Sequence, residues 1–273
     1  MKVTYYTIPP PPALAGYVRF FWVYEIDFDA MVPYIYRSMA DGCPEMVFHY
    51  KGDFREVNND GSMEQCSGPR SMVHAQSARY RRFVTQEHFG IFGAYLYPFA
   101  IPYLFGQSSA SFSNQLPDLQ TLLGAAGREL EEKIMLAVNN HERTMILSTF
   151  LQTQLDTVRR KETIIQSAVR HLVHSEAINN IGALSDQYYL STRQFERKFK
   201  EYAGFAPKTY SRIIRFQSAL KEYGNQNKSL TEIAYQCGYY DQSHFIHDFK
   251  EFSGYHPRQY FSGKPEGAEY REV

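Results

Sequence analysis

The feature that most constrains this chain is that one of its segments is written twice. Laid over each other at an offset of 50 residues, Phe195 to Tyr210 and Phe245 to Tyr260 carry Phe, Phe, Lys, Glu, Gly, Pro and Tyr at identical places. Each copy reads as a helix. In "STRQFERKFKEYAG" Ser191 stands where an N-cap belongs, and Phe195 and Phe199, four residues apart, share one face. "DQSHFIHDFKEFSG" repeats the pattern with Phe245 and Phe249. Between the copies run a connecting helix, "KTYSRIIRFQSALKEYG" (208–224), and "SLTEIAYQCG", where Ser229 and Glu232 have capping-box spacing. Upstream, "TIIQSAVRHLVHS" puts Ile164, Ile165, Ala168 and Leu172 on one face, and "INNIGALSDQYY" follows as a further helix.

A short helix, a tight turn and a longer helix with polar residues opposite its aromatic face make the layout of a helix-turn-helix, whose second helix enters the major groove. A plain helical bundle has the same periodicity, so spacing alone leaves both readings open. Charge bears on the choice. The whole chain is formally neutral, but residues 1–159 carry 13 Lys and Arg against 16 Asp and Glu, whereas 160–260 carry 14 against 10. Within 191–221 there are eight basic and two acidic residues, an excess expected of a phosphate-facing surface or of a solvated helix face. Residues 222–260, with three basic and five acidic, are the weaker half electrostatically.

Residues 161–261 resemble the C-terminal DNA-binding domain of the AraC family of bacterial transcription regulators, in which one long helix joins two helix-turn-helix units. The second unit carries the agreement most fully. In "IAYQCGYYDQSHFIHDFKEFSGYHPRQY" the family's places are filled by Ile233, Ala234, Gly238, Tyr239, Asp241 and Ser243, and then by Phe245, Phe249, Lys250, Gly254, Pro257 and Tyr260. The resemblance implies that Arg193, Gln194, Glu196 and Arg197 are the base-reading residues of the first unit, and Gln242, Ser243, His244 and His247 those of the second. Lys200 lies on the same outward face. Arg212 and Arg215, on the connecting helix, read either as phosphate contacts or as a solvated face. A rigid connecting helix suits two reading heads held about 34 Å apart, one turn of B-DNA. Two departures stand out: Tyr189 occupies a turn position where glycine is usual, and His247 and Asp248 occupy places where a basic residue is common.

The first half has a different texture. From about residue 5 to 112, short aromatic-rich runs such as "YVRFFWVYEI", "EMVFHY" and "FGIFGAYLY" alternate with turn signals at "ADGCP", "KGDF" and "NNDGS", the pattern of an antiparallel barrel or sandwich. Helical periodicity follows in "LPDLQTLLG", "AAGRELEEKIMLAVNN" and "HERTMILSTFLQTQLDTV", and the charged stretch 156–163 is the expected domain boundary. "LAGYVRFFW" and "ADGCPEMVFHY" resemble the sensor domains of AraC-type regulators, which are cupin-like β-barrels followed by helices that pair two chains. The expected fold class is therefore α+β: a cupin-like sensing and dimerisation domain over 1–157, an all-α DNA-binding domain over 161–261, and a tail over 262–273.

Trp22, Tyr95 and Tyr97 are candidate lining residues for an effector pocket, or simply barrel packing. His49 has no HxH partner, Glu45 is the nearest carboxylate, and His74 and His88 are distant in sequence, so no metal centre, cofactor or catalytic set is expected. Cys43, Cys66 and Cys237 lack CxxC spacing and read as free thiols. No apolar run reaches the ~20 residues of a membrane span, and a proline run stands where a signal peptide would have its apolar core, so a cytoplasmic location is expected. The expected partners are double-stranded promoter DNA, a small-molecule effector, a second copy of the chain, and RNA polymerase if the protein activates. The other reading is a cupin-like enzyme or ligand-binding protein with a helical accessory domain, and a gel shift against the upstream DNA of its own operon separates the two.

Overall fold

The computed structural model describes residues 2–27, 33–57, 68–158, 164–174, 185–222 and 228–263. The expected turn at 58–62, residues 178–184 of the helix expected over 178–189, most of the boundary at 156–163, Cys66 and the tail beyond 263 lie outside these residues.

Eight strands form the N-terminal half: β1 (Lys2–Ile8), β2 (Val18–Asp27), β3 (Tyr34–Ser38), β4 (Glu45–Lys51), β5 (Arg55–Val57), β6 (Ser71–His74), β7 (Arg81–Thr85) and β8 (Phe89–Leu96). They make two antiparallel sheets, ordered β1-β2-β8-β4-β6 and β3-β7-β5. Antiparallel strands are expected of either a barrel or a sandwich, and closure into the expected cupin-like barrel is not seen among the described residues. Among the described residues no ladder joins the sheets, and the outer edge of β6 is already taken, because Val73 and Ala75 donate their backbone N–H groups to the carbonyls of Pro117 and Gln115.

The large sheet is apolar on both faces because both are covered. Trp22, Tyr24 and Ile26 of β2, Val47 of β4, and Phe89 and Ile91 of β8 face the small sheet with Phe54 and Phe83. The alternate residues Phe21, Val23, Met46, Phe48, Phe92 and Ala94 face a helical layer. Gly93 lies directly under Trp22, where a Cβ would sit 2.5 Å from the indole, so glycine is what lets that ring lie flat across the sheet. The helical layer comprises α1 (Ala100–Phe105), α2 (Leu119–Leu123), α3 (Ala125–Leu136) and α4 (Asn140–Val158), with Ile101, Leu104, Leu119, Leu130, Ile134, Leu147 and Leu151 closing the core.

The C-terminal half is helical: α5 (Ile164–His174), α6 (Thr192–Ala203), α7 (Pro207–Leu220), α8 (Leu230–Gln236), α9 (Gln242–Ser253) and α10 (Pro257–Ser262). The expected caps form. Ser191 and Gln194 make a reciprocal capping box on α6, Ser229 and Glu232 make one on α8, and the Asp241 carboxylate accepts from the His244 backbone N–H on α9. Phe195, Phe199, Phe245 and Phe249 are fully buried.

The two halves share their cores. Phe99 and Tyr103 pack with Phe195, Phe199 and Tyr210, and Ala40 packs with Phe216, Phe249 and Phe252. The contact is also polar. Ser109 Oγ donates to the Tyr202 carbonyl at 2.8 Å and Ser113 Oγ to that of Gly204 at 2.7 Å. At the second unit, Arg37 donates to the Ser253 carbonyl at 2.9 Å, and the Ala40 N–H to that of Phe252 at 3.0 Å.

Within the C-terminal half, Arg212 of α7 ties down α9. Its Nη2 lies 2.7 Å from Asp248 Oδ1 and 2.5 Å from Glu251 Oε2, with Asp248 only 1% exposed. Arg212→Ala strands that carboxylate and is expected to lower the unfolding free energy in urea by about 3 kcal/mol; the double replacement Arg212→Met, Asp248→Leu should cost less than the single one. Tyr189 gives the opposite sign. Its φ is +53°, in the left-handed region that penalises a Cβ, and its ring is 95% exposed, so Tyr189→Gly should raise stability by about 1 kcal/mol in the same assay.

Candidate nucleic-acid interface

The two expected reading helices present different chemistry. On α6 the buried Phe195 and Phe199 fix the inner face, leaving Arg193, Gln194, Glu196, Arg197 and Lys200 all exposed. Arg193 and Arg197 are one helical turn apart on that outer face. Gln194 is partly committed, since its Oε1 accepts from the Ser191 backbone N–H in the capping box at 3.2 Å. The outer face of α6 thus offers two planar five-donor guanidinium forks and an ammonium, suited to bidentate recognition of guanine edges and to phosphate.

On α9 the two histidines lie beside carboxylates. Ser243 is exposed, Gln242 and His244 are half-buried, and Thr231 of α8 donates to Gln242 Oε1 at 3.4 Å. His247 is 73% exposed, with Nδ1 3.6 Å from Asp248 and 3.8 Å from Glu251. His244 lies 3.6 Å from Asp248 on the other side and meets the Tyr239 ring edge-on. His247, Asp248 and Glu251 bring possible ligand atoms within 4.8 Å of one another, but Arg212 already binds both carboxylates. Arg212 therefore faces α9 as a clamp. Arg215 stacks over the Tyr239 ring at 5.2 Å.

The turns of the two units differ by one residue. Leu190 N–H bonds to the Ser185 carbonyl and Tyr239 N–H to that of Ala234, which matches Tyr189 to Gly238, both at positive φ. The cap residues are Ser191 and Asp241, so the second unit holds one extra residue, Tyr240, between turn and helix. Tyr189 and Tyr240, 95% and 87% exposed, flank the N-termini of α6 and α9. Their isolation from the apolar periodicity was the signal available in sequence.

The three candidate effector residues are separated. Trp22 and Tyr95 line one cavity of about 200 Å³ between the sheets, which also touches Gln217 of α7. Tyr95 stacks on Phe20 at 4.9 Å and donates to Asp41 Oδ2 at 2.7 Å. Tyr97, beyond the end of β8, stacks on Phe99 at 5.6 Å and lies outside that cavity. Deeper between the sheets, Glu45, His49 and His74 line a second, narrow space. Among the described residues they form no convergent metal-ligand group, and burial pushes the His49 and His74 imidazoles down to about 4 and about 3. His88 is on the surface, 3.4 Å from Asp27.

Residues 184–263, which span both units, match the family described as a helix-turn-helix domain, and residues 6–118, which span both sheets, match one described as a domain of unknown function (DUF6597). The HTH-type transcriptional activator RhaS of Escherichia coli (strain K12 / DH10B) is 33% identical over 85 residues, a match that spans 31% of this chain and only 31% of that relative. Among solved structures, ToxT from Vibrio cholerae aligns over 89% of this chain and 97% of its own at 15% identity and a TM-score of 0.49. The C-terminal domain of AraT, a response regulator from Geobacillus stearothermophilus, aligns over 39% of this chain and 92% of its own at 22% identity and a TM-score of 0.35. Residues 184–263 are therefore a helix-turn-helix domain of the AraC type, similar over that region to the transcriptional activator RhaS.

Proposed function

We propose that this protein is a one-component transcription regulator: α6 and α9 read promoter DNA, and the N-terminal half senses a small-molecule effector and pairs two copies. The observation that carries this reading is the sidedness of α6, whose aromatic face is wholly buried while Arg193, Arg197 and Lys200 point outward. A helix serving only as a bundle element has no need of that concentration of unpaired donors. Tyr189, Tyr240, Gln242, Ser243, His244 and His247 extend the surface across the second unit, and RNA polymerase is a further partner if the protein activates. Among the described residues no helix is long and apolar enough to cross a membrane, which suits work on cytoplasmic DNA.

Pairing is assigned to α3 and α4. Leu136, Val138 and Met145 are 74%, 86% and 56% exposed, beside a groove of about 560 Å³ between the two helices that Leu130, Ile146 and Phe150 line. Apolar side chains concentrated in this way are what an isologous dimer contact buries.

The test of DNA reading is a gel shift of the full chain against the DNA upstream of its own transcription unit at one fixed salt concentration. Arg197→Ala is expected to weaken specific binding by about 1–3 kcal/mol, roughly 5- to 150-fold, and to relax preference in one half of the site. His247→Ala should cost less, because carboxylates already flank that imidazole. Undiminished binding by Arg197→Ala sinks the assignment of α6. For pairing, sedimentation of the full chain should give a dimer at micromolar concentration and Met145→Lys a monomer; a monomeric wild type removes the α3/α4 interface.

A further inference from the structure

The cavity that holds Trp22 and Tyr95 has a composition unlike its surroundings. Its walls are rings: Tyr5, Phe20, Trp22, Tyr24 and Tyr36 join Tyr95 around it. Its polar groups are the Asp41 and Glu45 carboxyls and the Gln217 amide, and none of its lining side chains is basic. The Arg19 guanidinium is not among the lining groups; it donates to Cys43 Sγ and lies over the Tyr95 and Tyr97 rings.

The two carboxyls are not equivalent. Asp41 is held by the Tyr95 hydroxyl and by the Cys43 backbone N–H, with Arg19 nearby, and burial nevertheless raises it to about 6. Glu45 has less support. Burial and then the Asp41 charge raise it to about 8, opposed by the Trp22 indole that faces it. That indole is itself 8% exposed, and its buried Nε1–H makes no well-formed hydrogen bond.

From the aromatic walls and the paired carboxyls, we propose that this cavity binds a small organic cation, an amine or quaternary ammonium. Aromatic faces carry negative potential and attract cations. A cation held there also favours the ionised form of Glu45, which strengthens its interaction with the Trp22 N–H that faces it. An anion meets two carboxyls there, and a neutral polyol can hydrogen-bond to them but gains nothing from the negative potential of the ring faces. About 200 Å³ limits the occupant to a small molecule. Gln217 lies on the helix that joins the two reading units and donates to the Ala40 carbonyl, next in sequence to Asp41, so the occupant touches the DNA-binding half directly. The inference names the chemical class of the effector and rests on the sensing role proposed above for its biological meaning.

Trp22 is the chain's single tryptophan and lines this cavity and the narrow space beside it, so its emission reports on that region without interference from other tryptophans. Choline and butylammonium are titrated into the full-length protein, alongside 3,3-dimethylbutanol, the neutral carbon analogue of choline, with glucose and decanoate as further controls. At least one cation is expected to shift Trp22 emission saturably with Kd on the order of 1 mM or tighter, and the neutral analogue to bind at least about tenfold more weakly. Glu45→Gln, or Asp41→Asn if the first folds poorly in urea melts, should weaken cation binding about tenfold. Silence from both cations at about ten times that concentration overturns the proposal, as does glucose, decanoate or the neutral alcohol matching them. DNA binding is scored separately by gel shift, so a protein that binds the cation but no promoter refutes the regulator and leaves the site, while the converse refutes only the site.

Discussion

The last turn of every helix leaves carbonyls that no residue of that helix can satisfy. In this protein the N-terminal half donates to such carbonyls at the ends of both α6 and α9. Serines 108, 109 and 113 donate to the end of α6, and Arg37 and the Ala40 backbone to the end of α9. Each such bond is worth only about 0.5–1.5 kcal/mol net, yet a buried carbonyl deprived of its donor costs more, about 1–3 kcal/mol. The apolar contacts of Phe99, Tyr103 and Ala40 with the C-terminal aromatics add to that cost of separation. The sandwich is therefore the frame to which both helices are fixed, at the ends away from their caps.

Ala40 and Asp41 concentrate this arrangement into two adjacent residues. Ala40 bonds to the end of α9 through its N–H and to Gln217 through its carbonyl, while Asp41 faces the aromatic cavity and Tyr95. Displacement at one is felt at the other through a single peptide unit. Gly42, the next residue, sits against the Tyr210 ring, where a Cβ would come within 2.8 Å.

Much of the C-terminal half was legible because its determinants are local. A cap serine and aromatics four residues apart declare a helix and its buried face without reference to the rest of the chain, as Ser191, Phe195 and Phe199 do. The missed features depend on distant partners. Asp248 looked like an electrostatic defect in the second unit, but Arg212, 36 residues earlier, makes it an internal anchor. The two-sheet sandwich was not separable from a barrel, since the stretch at 115–117 that ends the large sheet carries no strand periodicity. Trp22 and Tyr95 meet because β2 and β8 pair, with Phe20 opposite Tyr95 and Trp22 opposite Gly93. Tyr97, only two residues on, has passed the end of β8 and joins the core shared with the helices.

The one-residue difference between the two turns, together with the Arg212 clamp on α9, makes the two heads unlike in both geometry and charge. Two equal heads would fit a duplex equally well after end-for-end reversal. With a basic first head and an acid-tied second one, held in fixed order on one frame, reversal exchanges partners that do not match. On the proposed reading, a single copy therefore lies on DNA with one polarity, and the orientation of its site sets which way the N-terminal half faces.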